Sequence, residues 1–130
     1  MLIRGIIMYG RFEELKVWQK GREFRNEVYR MTQKFPKTEI FGLISQMRRA
    51  SISITSNIAE GHGRFHFKEN IQFCRISRGS LNEILDQLYL ALDMGYINKT
   101  SFSKVYENGR ELEKMLNGYV SFLEKKCGEK

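Results

Sequence analysis

The chain is predicted to be all-α, an antiparallel up-down-up-down four-helix bundle, and three observations carry that prediction. Apolar residues recur at alternating steps of three and four through four long stretches, the spacing of one face of a helix. No useful length of chain alternates with period two, as a half-buried strand would. There is a single proline, Pro36, so little interrupts long helices.

The first helix is expected from about Glu13 to Lys34, with Val17, Gly21, Phe24, Val28, Met31 and Phe35 on a heptad-like stripe. Phe35-Pro36 ends it, because the residue before a proline is pushed out of helical geometry. Thr38 is placed to cap a second helix carrying Ile40, Leu43, Met47, Ala50, Ile54 and Ile58, which stops at Gly61 or Gly63. A third, from about Phe67 to Met94, carries Ile71, Cys74, Leu81, Leu85, Leu88 and Leu92. Gly95 then supplies a left-handed cap, with Tyr96 as the apolar residue after it. Asn98 or Ser101 opens the last helix, in which Phe102, Val105, Gly109, Leu112, Leu116, Tyr119 and Leu123 keep the rhythm. The connections are about four to six residues, short enough to make successive helices antiparallel neighbours.

At 130 residues and 15.4 kDa there is room for one domain, which excludes a second catalytic domain. Residues 11–126 are assigned to the bundle, 1–10 to a flexible N-terminal extension and 127–130 to a polar tail. The opening MLIRGIIMYG has a short apolar run broken by Gly5, and Arg11 and Glu13 follow at once, so no secretory segment is read and a cytoplasmic protein is expected. Cys74 and Cys127 do not make a disulfide framework and are expected to be reduced, non-catalytic thiols.

The second helix is unusual. Glu13 to Lys34 holds ten charged residues and Ser101 to Lys126 holds nine, whereas Ile40 to Ala59 holds two, Arg48 and Arg49. On a helical wheel Ser45, Ile52, Ser56 and Ala59 fall opposite the core side, where a solvated helix would carry Lys and Glu. Charge is depleted at interface cores, so these four are read as subunit-interface candidates. Between the two faces runs a polar stripe of Gln46, Arg49, Ser53, Asn57 and Glu60. Polar groups flanking a core need partners, so the stripe is read as a structural network or part of a subunit interface, with Ser80 and Glu83 as further members.

At these residues the chain becomes recognisable. The run Phe12-Glu13-Glu14-Leu15-Lys16-Val17-Trp18-Gln19, then Phe35-Pro36, Gly42 to Ala50, Ser53-Ile54 and Asn57-Ile58-Ala59-Glu60-Gly61, with Gly79-Ser80, Glu83 and Gly95-Tyr96, resembles the bacterial 23S rRNA intervening-sequence proteins, also called S23 ribosomal proteins. The likeness covers about Arg11 to Leu123. The resemblance implies a four-helix bundle assembling as a ring-like homopentamer, with no enzymatic activity attached. It also implies a fold related to the accessory variability protein of diversity-generating retroelements, which binds a reverse transcriptase and nucleic acid. The family name records genomic context and does not imply membership of the ribosome.

The basic excess is uneven: Met1 to Ser80 has a net charge of +8 and Leu81 to Lys130 a net of −1. A polyanionic partner, RNA or DNA, is therefore expected, and Arg22, Arg25, Arg64, Lys68, Arg75 and Arg78 are the candidates for phosphate contact. The first functional expectation is a non-enzymatic, oligomeric nucleic-acid-binding or scaffolding protein. An adaptor for a reverse transcriptase is the alternative. An all-helical metal-dependent nucleotide hydrolase fares worst, since Glu83 with Asp86 and Glu107 with Glu111 lack the denser acidic motif of such enzymes. No catalytic residue, cofactor or metal is assigned: no Glu-x-x-His pair is present, and His62 and His66 leave a zinc site short of ligands. Trp18 and Tyr29 are expected to pack; Phe65, beside Arg64, is left open as a stacking residue.

Overall fold

A computed structural model describes residues 10–128, and the expected extension at residues 1–9 lies outside the described residues. Four helices follow one another: α1 (Lys16–Thr32), α2 (Leu43–His62), α3 (Phe67–Asp93) and α4 (Lys99–Gly128). Short 3-10 turns at Phe12–Glu14 and Lys37–Glu39 precede α1 and α2, and no strand occurs among the described residues.

Side-chain pairing fixes the directions. Ser77, Ser80 and Glu83 of α3 meet Ile54, Ser53 and Arg49 of α2, so one chain advances as the other retreats. Arg78 and Arg75 meet Asn117 and Glu124 of α4 in the same antiparallel sense. Arg25 and Thr32 of α1 reach Thr55 and Arg48 of α2, and Lys20 and Glu27 reach Glu111 and Asn108 of α4. Each helix thus packs on two neighbours in the order α1, α2, α3, α4 and back to α1. The four apolar stripes meet inside this square, where Phe24, Met47, Ile54, Ile84, Leu112 and Leu116 are fully buried. Each such side chain contributes about 1.5–3 kcal/mol by leaving water.

Two glycines set the joints. Gly95 takes φ +76°, letting its amide and that of Tyr96 turn back onto the Leu92 and Ala91 carbonyls as expected. Gly61 is not the stop of α2; it lies inside the last turn, and a Cβ there would stand 2.6 Å from Asn70 Oδ1 and 3.1 Å from the Asn70 carbonyl oxygen. Its missing side chain lets the end of α2 touch the start of α3.

The start of α2 corrects the sequence reading. Thr38 caps nothing, because Lys37–Glu39 forms a 3-10 turn and the helix begins only after Gly42. The Glu39 carboxylate takes the Leu43 amide at 3.0 Å, satisfying one of the free donors of the first helical turn. It also accepts the Tyr96 hydroxyl at 2.8 Å. These two bonds, the amide first, hold the Glu39 carboxyl below its usual range, and the same contact pushes the Tyr96 phenol up. Ile40 is consequently exposed rather than in the core, and Phe41 beside it is 94% exposed. At the other end, α4 continues through Gly128, so the first half of the expected polar tail at 127–130 is helical.

Candidate nucleic-acid interface and assembly face

The polar stripe is brought together along the α2/α3 seam. Ser80 donates to Ser53 Oγ at 2.8 Å, and Asn57 donates to both the Ser53 carbonyl and its hydroxyl. Arg49 meets Glu83 at 3.3 Å, and Glu83 also accepts from Gln87. Two members stand apart: Glu60 pairs with Arg64 at 2.9 Å, and the Gln46 side chain is exposed, away from the Ser53 cluster. These bonds run between α2 and α3 of one chain, with Ser53 Oγ as the acceptor shared by Asn57 and Ser80, while the buried Gln87 amide oxygen makes no hydrogen bond among the described residues.

The six basic candidates do not form one patch. Arg25 reaches Thr55 across the α1/α2 seam, and Arg22 lies nearby over the Trp18 ring at 5.9 Å. Arg75 and Arg78 lie on the α3/α4 seam, on the opposite flank of the square. Arg64 sits at the α2/α3 turn, over the Phe73 ring and against Glu60. Lys68 and Arg75 line a groove of about 440 Å³ that Ile71, Gln72, Glu124 and Cys127 complete. Arg75 is 3.7 Å from Glu124, whereas Arg78 donates to the neutral Asn117 amide oxygen at 2.8 Å.

The interface candidates on α2 do share a surface. Ser45, Ile52 and Ser56 are exposed and Ala59 is half-buried beside them; Ile52 is 44% exposed. Sequence reasoning missed further outward apolar residues on α3, where Ile76, Leu90 and Met94 are exposed. A signal was available: these three fall off the stripe of Cys74, Leu81, Leu85 and Leu88, at positions where a solvated helix would be polar. Also unforeseen is an aromatic cluster over the α3/α4 seam. Phe102 and Tyr106 stack at 5.3 Å, Tyr89 leans on both, and the Arg110 guanidinium lies over the Tyr106 ring.

The residues weighed for metal chemistry are dispersed. His62 Nε2 faces the Gly10 carbonyl at 3.0 Å, His66 lies outside against Phe65, and Cys74 is in the core beside Asn70. Burial pushes the Cys74 thiol up to about 12, against the opposing pull of Arg78. Among the described residues no three His, Cys, Asp or Glu gather as a metal site would require. Trp18 packs edge-on to Phe12 at 5.2 Å and against the core, Tyr29 lies under Arg48, and Phe65 is exposed. Among the described residues no helix is long and apolar enough to cross a membrane.

Comparison with known proteins agrees with this architecture. The model of the 23S rRNA-intervening sequence protein family matches residues 13–118. A solved structure from Bacteroides thetaiotaomicron, described as a protein of unknown function from the S23 ribosomal protein family, superposes with a TM-score of 0.74. It is 22% identical, over 81% of this chain and 95% of that one, a likeness that speaks for the fold alone. None of the curated proteins matches the chain.

Proposed function

This chain belongs to the 23S rRNA-intervening sequence protein family, and from that premise we propose that it is a non-enzymatic, self-assembling protein that binds structured nucleic acid through a basic strip on α3. The supporting observation is Arg78. It is bonded to a neutral amide rather than to a carboxylate, and it stands on the same helix as Arg75 and Lys68, which line the neighbouring groove. A cation held as Arg78 is can meet a phosphate without first breaking an internal ion pair, whereas Arg75 would give up its 3.7 Å contact with Glu124, and such contacts carry no sequence code. Assembly of several copies, with the pentamer of the family resemblance as the favoured form, would repeat the strip around a ring. Modest single contacts would then add through multivalency.

The test is a salt titration of binding to a structured RNA and to duplex DNA, with the wild type and Arg75→Glu/Arg78→Glu. Wild-type affinity is expected to fall steeply with salt, and the double variant to bind more weakly with a flatter slope, by about 0.7–0.9 log units per lost phosphate contact. Binding that is absent at low salt, or indifferent to both changes, overturns the proposal. Sedimentation of the wild type at micromolar concentration tests the assembly separately, and monomer alone would refute it.

A further inference from the structure

We propose that the cleft between α1 and α4 binds a nucleoside di- or triphosphate, its phosphates held by Arg30, Lys34 and Lys104 and its base seated on the apolar floor. The site lies away from the α3 strip and does not depend on that strip binding nucleic acid.

The cleft has a volume of about 560 Å³ between the second half of α1 and the start of α4, within the range of about 300–1,000 Å³ usual for small-molecule sites. It runs on along the same seam into a space of about 310 Å³, and Glu27, Arg30 and Lys104 line both. The seam is open because long side chains span it, Lys20 reaching Glu111 and Asn108 reaching Glu27. Its floor is apolar: Val105 is buried, and Met31 and Ile97 are half-buried against the core. Tyr96 closes one end and is fixed before anything binds. Its hydroxyl donates to Glu39 at 2.8 Å, and its ring lies 5.4 Å from that of Phe35.

Charge around the cleft is one-sided. Arg30 and Lys34 stand one turn apart on α1, a spacing of about 5–6 Å between their Cβ atoms, and Lys104 lines the α4 wall opposite. None of the three pairs with a carboxylate among the described residues. The larger space is lined by a single carboxylate, Glu27, and the Asn108 amide already holds both of its oxygens, at 2.9 and 3.2 Å.

Three such cations call for a ligand with more than one negative charge, and the floor calls for a flat apolar group joined to it. An apolar monocarboxylate would satisfy one cation and leave two. Inorganic polyphosphate would leave Met31, Ile97 and Val105 uncovered. A nucleoside di- or triphosphate brings both parts, and charge-assisted hydrogen bonds from Arg and Lys to phosphate are among the strongest a protein makes. Asn98 and Ser101 add uncharged polar groups to the same wall for the sugar or base, with Asn98 held by accepting the Ser101 amide at 2.8 Å.

Calorimetric titration of the whole chain with ATP, GTP, AMP and inorganic triphosphate tests the site. ATP or GTP is expected to bind about tenfold or more tightly than AMP or inorganic triphosphate, since only the nucleoside triphosphates fill both halves. Arg30→Glu and Lys104→Glu are each expected to weaken that binding about tenfold or more. Ser101→Trp, which fills the cleft and leaves the cations in place, is expected to abolish it. All three change exposed side chains, and circular dichroism checks that each remains folded. Arg75→Glu/Arg78→Glu is expected to bind nucleotide as the wild type does. A wild type that binds neither ATP nor GTP at millimolar concentration overturns the inference, and inorganic triphosphate binding as tightly as ATP refutes the seat for the base. If the α3 double variant loses the nucleotide while the three cleft variants keep it, the nucleotide sits on the α3 strip. This inference then fails although the nucleic-acid reading stands.

Discussion

The α2/α3 seam and the α1/α4 seam are built from opposite materials. Along α2/α3 the facing residues that set the approach are small, Ser53, Ser77, Ser80 and Gly61, with the Arg49–Glu83 pair the long exception at the rim. Backbones come close, and short hydrogen bonds bridge them directly, as where the Ser77 hydroxyl donates to the Ile54 carbonyl at 2.8 Å. Along α1/α4 the bridges are long side chains, Lys20 to Glu111 and Asn108 to Glu27, and clefts open beside them, one of about 560 Å³ towards Met31 and Ile97. A close seam stores its stability in shape and buried hydrogen bonds; an open one relies on its apolar stripe and gains little from its surface charges.

The largest break in this contrast is Gly61→Ala. The new Cβ meets Asn70 backbone and the Phe73 Cβ, so the end of α2 must shift, at a cost of about 2–3 kcal/mol from overpacking, read by urea denaturation. Ser77→Ala is expected to cost less, about 1 kcal/mol for one buried hydrogen bond, with the m-value unchanged. Gly118→Ala on α4 should have the opposite sign. Nothing lies within 4 Å of a Cβ there, so helix propensity alone acts, and the protein gains about 0.5–1 kcal/mol.

The smallest effect belongs to Lys20 and Glu111. Lys20, through its hydrogen bond first and its charge second, lowers the Glu111 carboxyl below its usual range. A lowered acid stabilises the fold above its unfolded pKa, and that contribution is lost as pH falls through the folded value. In Lys20→Ala the Glu111 carboxyl is expected to titrate higher by NMR, with a stability change smaller than that of Ser77→Ala. A change as large as Ser77→Ala would mean the open seam is held by its ion pair.

The four helices are legible in the sequence because the core demands one apolar residue per turn, and Val17 to Val28, Met47 to Ile58, Cys74 to Leu88 and Val105 to Leu123 all obey it. The α2 boundary is not, because Thr38 and Ile40 satisfy local capping and spacing rules, while the real start depends on Glu39 being held by Tyr96 from a distant turn. The polar stripe is readable from its spacing on one helix, and Ser80 and Glu83 meet Ser53 and Arg49 of it across the seam. The scatter of the basic residues is not: Arg25 and Arg78 are both plausible phosphate ligands, and only the packing order sends them to opposite flanks. The outward apolar residues of α3 escape notice for a related reason, since each is isolated in sequence and they form a surface only once the helix is wound.

Cys74 gives the fold a built-in chemical clock. Its thiol is fully enclosed and resists ionisation, so an alkylating reagent can reach a thiolate only when α3 parts from its neighbours. Cys127 is half-buried near the end of α4 and needs no such opening. Two cysteines on one chain would therefore label in two phases, the fast one marking time zero and the slow one counting how often the bundle opens.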